Sequence, residues 1–131
     1  MDHAPVPQHA PEVDGEPDPG EVVWGWVPYE DDPAQGKDRP VLLLARDGDH
    51  WLALQLTSKD HDFDESQEAR AGRFWMDIGS GAWDSKGRPS EVRLNRLLRL
   101  PDSGLRREGG PVSREIFDAV LVAAREHLDL G

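Results

Sequence analysis

The chain has 131 residues, enough for one domain, and its 26 acidic against 15 basic side chains give a formal charge of −11 at pH 7. That balance argues against a protein held to nucleic acid by bulk positive charge, and the absence of cysteine excludes disulfide staples, a thiolate nucleophile and a zinc site built on sulfur. No apolar run approaches the roughly 20 residues needed to span a bilayer, and no basic, apolar leader opens the chain, so the expectation is a soluble, cytoplasmic protein with no membrane role.

Residues 1–19 carry five of the eleven prolines, five acidic residues and no Lys or Arg. Such a stretch cannot bury enough surface to offset its ordering entropy, which predicts a disordered acidic tail ahead of a folded domain over 20–131. Glu21 to Pro28 is dense in Val and Trp and reads as a strand. Glu30 to Asp38, with Pro33 and Gly36, is a loop. The continuous apolar run Pro40 to Ala45 predicts a strand covered on both faces. Asp47-Gly48-Asp49 marks a tight turn into His50 to Thr57, where Leu52, Leu54 and Leu56 alternate with smaller or polar residues, completing a β-hairpin.

Lys59 to Arg73 is a charged loop with a helical turn near Glu65–Ala71, and Phe74 to Ile78 a short strand. Ser90 to Leu100 is ambiguous, because apolar alternation favours a strand while Arg93, Arg96 and Arg99 recur every three residues. Ser113 can cap a helix whose apolar stripe is Ile116, Phe117, Val120, Leu121, Ala124 and Leu128, with Arg125 and His127 in a last turn that suits cations. Short strands followed by one terminal helix predict a mainly β fold, a small barrel with the helix packed on it.

Few constellations carry chemistry. Asp60, Asp62 and Asp64 have the spacing of a calcium loop, but Glu65 stands where the sharp turn needs Gly and Ala71 where a bidentate Glu is needed, so no metal site is expected. No cofactor motif is present. The window Lys86 to Arg107 holds seven cations against Glu91 and Asp102, which reads either as an anion-binding face or as arginines paired with the abundant carboxylates. Most of the five tryptophans belong in the core of so small a barrel, with Trp83 in its glycine-rich loop as the candidate exception for base stacking.

Three segments together resemble one family. Gly20-Glu21-Val22-Val23-Trp24 opens the fold, the run Gln35-Gly36-Lys37-Asp38-Arg39-Pro40-Val41-Leu42-Leu43-Leu44 follows the loop, and Leu56-Thr57-Ser58 ends the next strand. In order and spacing these are similar to the MazF/PemK toxins of type II toxin–antitoxin systems, and Ser90 to Leu97 resembles their late strand. The resemblance implies an SH3-like (MazF/CcdB-type) barrel, a homodimer, a cognate antitoxin protein and metal-independent cleavage of single-stranded RNA. It assigns the catalytic positions to Arg39 and Thr57. Accessory or substrate-binding candidates are Gln35, Ser58, Lys59, His61, Trp83, Arg88 and Arg93. Two departures stand out: Ala34 replaces a common Glu, and Asn95-Arg96 replaces an acid–Gln pair.

An arginine offers a planar, permanently charged fork to phosphate oxygens, and a Thr hydroxyl adds one hydrogen bond. The bland alternatives are Arg39 paired with Asp38 or Glu30, and Thr57 as an ordinary strand residue. The rival functional reading is a toxin-fold protein that acts by protein binding, as gyrase poisons of this fold do, or a nucleic-acid-binding descendant that does not cleave.

Overall fold

Apolar alternation in the central strands is used twice, once on each side of a curled sheet. The computed structural model describes residues 7, 9–10, 18–58 and 72–130. Its strands are β1 (Glu21–Pro28), β2 (Gly36–Asp47), β3 (His50–Ser58), β4 (Trp75–Gly79), β5 (Ser90–Arg93), β6 (Leu98–Pro101) and β7 (Leu105–Pro111), followed by helix α1 (Arg114–Ala124). The sheet runs β4-β5-β3-β2-β1-β7, with β6 also on β3. All pairings are antiparallel. β3 divides one edge between two partners: His50–Ala53 pair with β6 and Leu56–Ser58 with β5. That division bends the sheet into a half-barrel.

On one face, Val23, Val27, Val41, Leu43, Trp51 and Ala53 close over Leu98 and Leu100 of β6. On the other, Val22, Leu42, Leu44, Leu54, Leu56 and Val92 pack against Phe117, Val120, Leu121 and Ala124 of α1. All of the 40–45 run but Pro40 is therefore buried, on both faces, as its unbroken hydrophobicity requires. This is the mainly β half-barrel with a C-terminal helix that the sequence leads one to expect.

Three details differ from the sequence reading. Ser90 to Leu100 is two strands, broken where the Asn95 side chain donates to the Gly72 carbonyl and accepts from the Phe74 N–H and Arg93 Nε. Those bonds fix a turn that the period-three arginines only disguised. β7 was not expected, because Leu-Arg-Arg-Glu-Gly-Gly-Pro has no alternation. It forms because it can approach β1 closely: a Cβ on Gly109 would overlap the Val22 carbonyl. Helix α1 is capped by Ser113 Oγ, which accepts from the Ile116 N–H at 3.1 Å, but it ends at Ala124. Arg125 is its C-cap and His127 lies beyond it, stacked on Phe74 with ring centroids 4.7 Å apart.

In the N-terminal segment, Pro7 is buried and the His9 ring lies against Phe117, centroids 5.5 Å apart. His9 Nε2 is 2.7 Å from the Val112 carbonyl oxygen, and the Ala10 N–H donates to the Pro19 carbonyl. The loop and helical turn expected over 59–71, with Lys59 and His61, lie outside the described residues. No helix among the described residues is long and apolar enough to cross a membrane.

Candidate functional site

β1, β2, β3, β5 and β4 carry one polar row across the sheet. Gly25 of β1 faces Arg39 of β2, while Thr57 of β3 faces Glu91 of β5, which faces Asp77 of β4. The β2–β3 register runs Leu42↔Leu54, Val41↔Gln55. Continuing that count by two residues sets Arg39 across from Thr57. Side chains two apart along a strand share a face, so Arg39 and Thr57 lie on the face of Val41 and Ala53, just past the end of that core. A Cβ on Gly25 would press on the Leu105 side chain, so this position of the row favours glycine.

Two cavities meet at this pair. One, of about 470 Å³, is lined by Arg39 and Thr57 together with Glu30, Gln55, Arg93 and Arg96. The other, of about 220 Å³, is lined by the same two residues with Trp24, Lys37, Asp84 and Arg88. The acids expected to neutralise Arg39 are already engaged. Asp38 is bonded to Arg106, and both carboxylate oxygens of Glu30 accept from Arg93 Nη2 at 3.2 Å. Among the described residues, neither the Arg39 guanidinium nor the Thr57 hydroxyl has a hydrogen-bond or ion-pair partner. In a chain with so many carboxylates, a half-buried guanidinium with no carboxylate partner is free to meet an anion.

The remaining candidates separate clearly. Arg93 lines the larger cavity, yet its side chain is only 5% exposed. Its Nε donates to Asn95 Oδ1 at 2.6 Å and its guanidinium lies 5.9 Å from the Trp75 ring centroid, so it acts as a strut that fixes Glu30. Arg88 donates to Asp84 at 2.9 Å and lines the smaller cavity. Gln35 is exposed and closes the β1–β2 loop through its backbone, lining neither cavity. Ser58 ends β3 in register with Ser90. Trp83 is not an exposed stacking platform: it is buried, donates to Ser90 Oγ at 3.0 Å, and accepts from Trp24 Nε1 through its carbonyl. The exposed tryptophan is Trp26, at 54%.

The basic window resolves residue by residue. Arg88, Arg93, Arg99 and Arg106 pair with Asp84, Glu30, Asp47 and Asp38. Arg96 does not follow them. Its Nη2 donates to the Pro28 carbonyl at 2.6 Å and its Nη1 to Gln55 Oε1 at 3.4 Å, both neutral acceptors. Burial, reinforced by the nearby Arg93 and Arg39 charges, pulls its pKa below the usual guanidinium value, against an opposing pull from Glu30. Sequence reasoning passed over Glu30, Glu91 and Arg96 as site residues. Only Arg96 carried a signal, as a cation where the resembled pattern has Gln.

A family model described as PemK-like, MazF-like toxin of type II toxin–antitoxin system matches residues 18–128. No curated protein matches the chain significantly.

Proposed function

The chain belongs to the PemK-like, MazF-like toxin family of type II toxin–antitoxin systems, and from that premise we propose that it is a toxin-type endoribonuclease cleaving single-stranded RNA without a metal ion. The observation that carries the proposal is the unpartnered Arg39 and Thr57, set across from each other where two cavities meet. Internal RNA cleavage needs no protein nucleophile. The neighbouring 2′-oxygen attacks phosphorus, the bond to the 5′-oxygen breaks, and the products are a 2′,3′-cyclic phosphate and a 5′-hydroxyl.

What the protein must supply is alignment and stabilisation of the charge that builds on the phosphoryl oxygens. Arg39 offers a bidentate fork to those oxygens and Thr57 one further donor. Glu30 and Asp31 line the same cavity, and we take these carboxylates as candidates to accept the 2′ proton. We assign the active form to a cytoplasmic homodimer held in check by a cognate antitoxin protein.

The test is purified protein incubated with a long RNA in EDTA. Wild type should cut it, and Arg39→Ala should lose on the order of 10²–10³ in rate, the scale of one preorganised donor. Arg39→Lys should recover only part, because an ammonium cannot make two parallel bonds. Intact RNA with wild type, or undiminished cutting by Arg39→Ala, overturns the reading. Intact RNA together with tight binding to gyrase would move the protein to the protein-poisoning class.

A further inference from the structure

The geometry points to a second phosphate subsite at Arg96, where the guanidinium takes the phosphodiester next to the one held by Arg39 and Thr57. The inference rests on the reading of this groove as an RNA site and adds that two consecutive phosphates are gripped.

Arg96 is fixed in direction but not neutralised. Pro28 and Gln55 accept two of its hydrogen bonds, Gln55 being itself buried, and no carboxylate pairs with it among the described residues. A guanidinium has more N–H groups than these two acceptors use. Arg73 also lines the larger cavity, and two further cations near the groove are spent differently. Arg93 holds Glu30 and Asn95, and Arg88 on the far side of Arg39 is neutralised by Asp84. Arg96 and Arg39 line one cavity, and the Arg39 charge adds to the cost of holding Arg96 charged there. An anion bridging that cavity offsets both desolvation and mutual repulsion. Successive phosphodiesters of one strand supply that anion at two points, whereas Glu30 and Asp31 in the same wall disfavour an acidic ligand that fills the cavity indiscriminately.

The probe is a 2′-deoxy trinucleotide, which binds without being cut, carrying either two phosphodiesters or a neutral methylphosphonate at one linkage or the other. Wild type should lose roughly tenfold or more in affinity at each substitution, the scale of a hydrogen bond to a charged group. Arg96→Gln should become indifferent to one of the two substitutions and stay sensitive to the other; Arg39→Ala should show the reverse. Arg96→Lys, which keeps the charge and tolerates the same packing, should retain part of the discrimination and covers the case in which Arg96→Gln does not fold. Equal sensitivity of wild type and both Arg96 variants at both linkages overturns the subsite. If wild type and the variants follow this pattern while the all-ribose trinucleotide and long RNA stay uncut, the subsite stands and the ribonuclease reading falls. If RNA is cut but wild type ignores the charge of one linkage, the subsite falls alone.

Discussion

Thr57 is a β-branched residue near the end of a strand, and nothing about that choice is unusual until its surroundings are seen. Across β3 from it, Glu91 is buried, and on the β2 side the register brings Arg39 opposite. The proposed cleavage draws on the hydroxyl rather than on the shape of the side chain. Thr57→Ser keeps the donor and should retain most of the cleavage rate. Thr57→Val keeps the volume and should lose at least tenfold, about the worth of one hydrogen bond to a charged group. Single-turnover rates of the two variants, with matched melting curves, check this, and equal activity would return Thr57 to a purely structural role. Arg39 and Thr57 were legible only through their place in a motif. Which of many acids would pair with which arginine was not, since that choice depends on strand register and burial. Asp38 and Glu30 looked like partners for Arg39 by proximity in sequence, yet Arg106 and Arg93 claim them from 68 and 63 residues further along the chain.

Elements with a strong period were readable and those without one were not. β1, β2, β3 and α1 each advertise a face, and the structure uses those faces. β7 has no face to advertise, because its role is backbone pairing with β1 across a site where Gly109 must pass the Val22 carbonyl. The helix start was legible for a local reason. Ser113 satisfies one of the free N–H groups of the first turn through its own hydroxyl. Ser113→Ala should therefore cost about 1 kcal/mol of stability, and Ser113→Asp should restore most of it by capping the same N–H. Urea unfolding measures both, and an unchanged midpoint for Ser113→Ala would show that the cap bond does not form in solution. The helix end was misjudged because the stripe continues to Leu128, which still packs on the core although the helix has stopped at Ala124.

At the scale of the whole molecule, composition separated a proline-rich acidic segment from a barrel domain, and it carried no information on where that segment touches. Among the described residues of that segment, His9 makes the long-range contacts. Its ring covers Gly20, where a Cβ would press on it, while Nε2 reaches Val112 and the other side meets Phe117. One side chain thus ties the entry to β1, the exit from β7 and the helix together. We expect His9→Ala and removal of residues 1–10 to lower the melting temperature by the same few degrees, as one lost hydrogen bond with its packing would do. Calorimetry decides it: no change in either variant would leave the segment thermodynamically separate from the domain.

β1 has β2 on one side and β7 on the other, so its neighbours come from opposite ends of the chain. The β1–β2–β3 meander closes locally, whereas the outer edge of β1 waits for Leu105–Pro111 to be made. The polar row also needs β5 before Thr57 has Glu91 beside it. During synthesis the nascent chain therefore exposes a Val- and Trp-rich strand edge until most of it has left the ribosome, and non-local pairing of this kind is slow and open to capture. A growing chain cannot complete its polar row until β5 has emerged, so that row forms after the β1–β2–β3 meander beneath it.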